Sequence, residues 1–105
     1  DTAAEIAKFY KEEISQVNGV EHVFVGRPAG TDRDVVDGSY QVMSALVFAN
    51  EEVATAWQSD PVHDTFRDRF GPHFERVIVY DTREYKVPPG TAISHHLMRW
   101  WLNRD

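Results

Sequence analysis

The sequence predicts an α+β domain, and three observations carry that reading. Apolar residues at helical spacing open the chain, at Ile6, Phe9, Tyr10, Ile14 and Val17. Three short segments, 20–26, 40–49 and 74–80, are rich in β-branched and aromatic residues. Between the second and third lies another helical stretch, with Val53, Ala54 and Trp57 on its apolar side and Phe66 and Phe70 further on.

Thr2-Ala3-Ala4-Glu5 has the form of a capping box, in which the Thr2 hydroxyl accepts from the Glu5 amide and the Glu5 carboxylate reaches back. A helix is therefore expected from the first residues, and Asn18-Gly19 supplies a left-handed stop. Residues 20–26 read as a strand, and Arg27 to Ser39, with Pro28, Gly30 and Gly38, as an exposed loop. In the strand from Tyr40 to Ala49, Val42, Leu46 and Phe48 alternate with Met43, Ala45 and Val47, so both faces are apolar. An antiparallel sheet with one wet face alternates apolar with polar residues instead, so each face here needs a cover. Asn50 can cap a helix whose acidic start, Glu51-Glu52, suits the positive helix end. Asp60-Pro61 interrupts that helix and starts another turn that Gly71-Pro72 ends. Val77 and Val79 then share one face of a strand from Phe74 to Tyr80, with Ile78 and Tyr80 on the other.

Pro88-Pro89-Gly90 is the sharpest break in the chain. Beyond it, Ile93 to Leu102 fits two patterns: Leu97, Trp100 and Trp101 suit a helix, whereas His96, Met98 and Trp100 alternate as in a strand.

The 105 residues suffice for one domain. The absence of cysteine excludes disulfides, thiolate metal sites and thiol nucleophiles, and is compatible with a reducing, cytoplasmic setting. A formal charge of −6 with no basic stripe argues against a nucleic-acid partner. The longest apolar stretches are far shorter than the roughly 20 residues of a membrane span.

Ser59-Asp60-Pro61-Val62-His63-Asp64-Thr65-Phe66 and Phe74-Glu75-Arg76-Val77-Ile78-Val79-Tyr80-Asp81 resemble the helix and final strand of the stress-responsive A/B barrel family. Members of that family usually carry a Pro-x-His step and end in a strand closed by an aspartate. Their first strand usually opens with His and runs through alternating apolar residues into a capped helix. Here His96 to Asp105, read on into Asp1-Thr2-Ala3-Ala4-Glu5, restores that order. The resemblance implies a ferredoxin-like dimeric α+β barrel with a four-stranded antiparallel sheet. It also implies a circularly permuted order, helix-strand-strand-helix-strand-strand, in which residues 93–102 of a single domain (1–105) form the family's first strand beside 74–81. Termini that lie close together tolerate such rearrangement; a chain cut from a tandem repeat is the competing explanation. In such a barrel one sheet face takes the domain's own helices and the other takes a second copy. A homodimer through Met43, Ala45, Val47, Ile78, Tyr80 and Trp101 is therefore expected.

The resemblance also implies chemistry. His63 corresponds to the acid/base histidine of a polyketide cyclase in the family, and His96 to a histidine on the opposite wall of its cavity. Imidazole titrates near neutrality and can take or give a proton at working pH; the alternative is that His63 only brackets the Pro61 turn. The cyclase pairs its histidine with a tyrosine where this chain has Trp57, which can donate one hydrogen bond but accept no proton. Tyr10 is expected to bring a hydroxyl to the same cavity. Phe9, Val42, Ser44, Leu46, Trp57, Phe66, Phe74, Val77, Val79, Met98 and Trp100 fall on the inward pattern and suit either an apolar ligand or a filled core. His95 and His96, adjacent in a strand, point apart and cannot share a metal, and no phosphate loop or nucleophile elbow occurs. The leading expectation is a small-molecule-binding dimer acting as a cofactor-free lyase or cyclase on an aromatic or polyketide-like substrate. In it His63 is the general acid/base, His96 orients the ligand and Tyr10 assists. A non-enzymatic stress-responsive or ligand-binding protein is the rival, and a cofactor-free monooxygenase, drawing on Trp57 and Trp100, the third reading.

Overall fold

The computed structural model of the protein describes residues 1–85 and 94–103, with backbone only for 94–96. Helix α1 spans Thr2–Glu12, strand β1 Val20–Gly26, strand β2 Val42–Phe48, helix α2 Glu51–Trp57 and helix α3 Pro61–Phe70. Strand β3 (Phe74–Arg83) and strand β4 (Ser94–Leu102) complete the sheet. The tail is thus a strand, whose alternating residues meet neighbours on both sides. The Pro88–Gly90 connection and Ile93 lie outside the described residues.

All pairings are antiparallel and the order across the sheet is β1-β2-β4-β3, so the last strand in the chain lies between the second and third. Val42 faces Trp100 and Ser44 faces Met98 on one side of β4; Val77 faces Trp100 and Val79 faces Met98 on the other. Directly opposed residues share a face, so these six point toward the helices.

The expected capping box at Thr2 is corrected. Asp1 caps α1, its carboxylate accepting from the Ala4 amide at 2.8 Å. Its carbonyl takes the first helical bond, from the Glu5 amide, so Thr2 is already helical and its hydroxyl is not at the cap. Helix α1 also ends earlier than its apolar period: after Glu12 a 3₁₀ turn, Ile14–Gln16, keeps Ile14 fully buried. Gly19 then reverses the chain at φ +89°. A Cβ there would lie 2.5 Å from Val53 Cγ1, so only glycine admits both the backbone and the approach of α2. Asn50 caps α2 through the Val53 amide and Asp60 caps α3 through the Val62 amide, with Pro61 in the first turn as expected.

The core lies between the helices and one sheet face. Ile6, Phe9, Tyr10 and Ile14 meet Val42, Leu46 and Phe48 of β2, with Trp57, Phe66, Phe70 and Trp100. Phe66 is its hub, its ring centroid 5.1–6.1 Å from those of Phe9, Tyr10, Phe70, Phe74 and Trp100. Val77 and Val79 point to the helix side yet remain 37% and 44% exposed, because the helices leave this outer part of the sheet open. On the opposite face Met43, Ala45, Val47, Ile78, Leu97 and Trp101 are half-buried, and Phe24 and Tyr80 are exposed.

Candidate functional site

His63 is the third residue of α3, and the Asp60 cap and Pro61 fix where it enters the fold. Its Nδ1 lies 3.2 Å from the carbonyl oxygen of Gln58, just past the end of α2. A carbonyl only accepts, so Nδ1 carries the proton, and in the neutral ring Nε2 is the basic nitrogen. The Trp57 indole packs against the imidazole, centroids 4.8 Å apart.

Two adjoining cavities meet at this histidine. The inner one, of about 290 Å³, is lined by Tyr10, Trp57, His63, Phe66, Arg67, Gly71, Phe74, Val77 and Met98. The outer, wider one, of about 600 Å³, is lined by Glu51, Ala54, Thr55, Gln58, His63, Val79, Asp81, Arg83 and Met98. His63 and Met98 are common to both. The inner walls are mainly aromatic and aliphatic; the outer carries carboxylates, an amide, a hydroxyl and a guanidinium, with Arg83 paired to Glu51.

Among the residues expected at the site, Tyr10, Trp57, His63, Phe66, Phe74, Val77 and Met98 are brought together around the inner cavity and Val79 borders the outer one. Phe9, Val42, Leu46 and Trp100 lie behind it in the packed core, and Ser44 is buried against Tyr10. The β4 register sets His96 opposite Leu46 and Asp81, but its side chain lies outside the described residues. Burial pushes the Tyr10 phenol well above its usual 10.0, opposed in part by the Ser44 hydrogen bond, so it stays neutral and acts as a hydroxyl.

Asp81 and Arg83 were missed, although their signal was in the sequence. The period of two that sets Val77 and Val79 on the helix side continues to both of them. Glu51, Thr55, Gln58 and Arg67 had no such signal, because which side of a short helix borders a cleft depends on tertiary packing. Among the described residues no group of three His, Asp or Glu could hold a metal ion.

Residues 1–84, from α1 to the end of β3, match the model of the stress responsive A/B barrel domain family. The chain belongs to this family. No curated protein and no solved structure matches it. In this A/B barrel domain the matched span leaves out β4, which nonetheless lies inside the sheet. No helix among the described residues is long and apolar enough to cross a membrane.

Proposed function

We propose that this A/B barrel domain binds a small apolar or aromatic molecule in the cleft at His63 and acts on it as a cofactor-free lyase or cyclase of polyketide-like substrates. The observation that carries this reading is that His63 stands on the wall common to an apolar and a polar cavity, with Nδ1 tied to the Gln58 carbonyl. A ligand spanning both chambers presents its midpoint to His63, where Nε2 takes a proton and returns it. Tyr10 supplies a neutral donor nearby, and His96 is assigned the orienting role by the family resemblance alone. Residues 94–102 take the place of the family's first strand, and a second copy covers the apolar face bearing Met43, Val47, Ile78 and Trp101.

Screening aromatic and polyketide-like compounds by ligand-observed NMR, followed by turnover assays on the binders, tests this. Specific binders whose conversion is lost in His63→Ala support it; binders that are never converted reduce it to ligand binding. That second, non-enzymatic reading is favoured by the contacts of the His63 ring with Gln58 and Trp57, which also serve to pin the α2–α3 junction. On it, His63→Ala lowers affinity and removes no reaction.

A further inference from the structure

Tyr10, one of the residues lining the apolar cavity, belongs to a hydroxyl pair set deep in the core. Tyr10 is 2% exposed and Ser44 is fully buried, and their oxygens are 2.9 Å apart. Two hydroxyls in contact share one hydrogen between them, so the order of donation decides where the other hydrogen goes. Ser44 has no other acceptor among the described residues, whereas Tyr10 reaches the Met98 sulfur at 4.0 Å. Both hydrogens find partners only if donation runs from Ser44 to Tyr10 and from Tyr10 toward Met98.

The last of these contacts is weak. A thioether is a poor acceptor, and 4.0 Å is a long approach. Met98, with His63, is also common to the two cavities, and an unbranched thioether chain can swing aside. The Tyr10 hydrogen is therefore fixed in direction by Ser44, aimed at a cavity wall, and answered only by a movable sulfur.

We infer that the inner cavity selects ligands that place a neutral acceptor oxygen, a ketone or comparable carbonyl on an apolar skeleton, against the Tyr10 hydroxyl in place of the Met98 sulfur. This rests on the reading of the cavity as a ligand site. The skeleton is apolar because Trp57, Phe66, Phe74 and Val77 surround it. The oxygen is neutral because a carboxylate would lose its hydration among those rings for one uncharged donor, a poor exchange. Burial keeps the phenol protonated, so it donates rather than accepts at working pH. About 290 Å³ is at the small end of ligand cavities and suits a single-ring compound.

The test uses acetophenone and ethylbenzene, which share a ring and a two-carbon substituent and differ in the carbonyl. Dissociation constants for both come from NMR titration of the wild type and three variants. Tyr10→Phe is expected to weaken acetophenone about 5-fold relative to ethylbenzene, the scale of one neutral hydrogen bond. Ser44→Ala moves the ratio in the same direction by less. Met98→Leu removes the competing sulfur, keeps the volume, and shifts the ratio toward acetophenone; it stands as a separate check should Tyr10→Phe fold poorly. If both compounds bind and the ratio stays constant across the folded variants, the inference is overturned while the cavity remains a ligand site. If neither compound binds the wild type, the cavity reading falls and the inference with it.

Discussion

The imidazole of His63 and the indole of Trp57 pack with centroids 4.8 Å apart and planes inclined by 46°. One turn of chain separates these residues, from the last position of α2 to the third of α3, and the Gln58 carbonyl between them receives the His63 Nδ1 proton. The indole and the carbonyl thus fix both the plane of the imidazole and its tautomer.

The first prediction follows from that arrangement. Long-range ¹⁵N–¹H correlation should show the neutral His63 ring protonated at Nδ1, with Nε2 as the unprotonated nitrogen. A neutral ring protonated at Nε2 would remove the basic nitrogen from the cleft and contradict the acid/base assignment. His63→Ala should cost less than about 1 kcal/mol of stability, as expected for a half-buried side chain outside the main core, so lost turnover in that variant would report chemistry and not unfolding.

Phe66 should behave in the opposite way. Its ring joins α1, α3, β3 and β4, and Phe66→Ala is expected to cost about 3–5 kcal/mol. For a domain of this size that lowers the melting temperature by roughly 15 °C or more. A drop of only a few degrees, measured by calorimetry, would mean that neighbouring rings refill the space.

A pH effect is expected at the far end of the sheet. Hydrogen bonds from Ser39, first its hydroxyl and then its amide, hold the Asp37 carboxyl below its usual 3.8, and the Arg99 guanidinium adds to this. The folded value lies below the unfolded one. The contribution to stability is therefore complete above about pH 4 and is lost as pH falls through the folded value. Titration of the Asp37 carboxyl carbon by NMR should give a midpoint under 3.8, and Ser39→Ala should move it upward; an unmoved midpoint would assign the effect to the residue-39 amide, which alanine keeps, and to Arg99.

Sedimentation equilibrium checks the proposed dimer. The wild type should sediment as a dimer at micromolar concentration, and Ile78→Glu, a charge placed on the half-buried outer face, should yield a folded monomer. A monomeric wild type would leave that face without the cover its apolar residues call for.

Much of this architecture was legible in the sequence, and the exceptions have physical causes. Apolar periods located the strands and α1, and Asn50 and Asp60-Pro61 marked α2 and α3, because local propensity and burial agree there. The α1 cap was misplaced by one residue because Asp1 and Thr2 are both competent acceptors, and only the backbone turn decides between them. Periodicity left the tail undecided, since Leu97, Met98, Trp100 and Trp101 serve either geometry; pairing with β2 and β3 settled it. The inward pattern brought together the residues around His63 but did not separate cavity lining from filled core. Phe9 and Phe66 carry the same kind of signal, yet only Phe66 reaches the cleft. That difference arises from where the helices stop covering β3, a property of packing.

The central place of β4 also orders the assembly of the protein in time. Strands β2 and β3 are each hydrogen-bonded to β4 and not to one another, so as the chain leaves the ribosome they remain separate until residues 94–102 have emerged. Only the β1–β2 hairpin and the helices can consolidate early; the Trp100 site in the core stays empty until then. Closure of the sheet is thus a single late event spanning about fifty residues of sequence between β2 and β4, which by the entropy of loop closure slows folding. Through that interval the apolar edges of β2 and β3 stay exposed to other nascent chains.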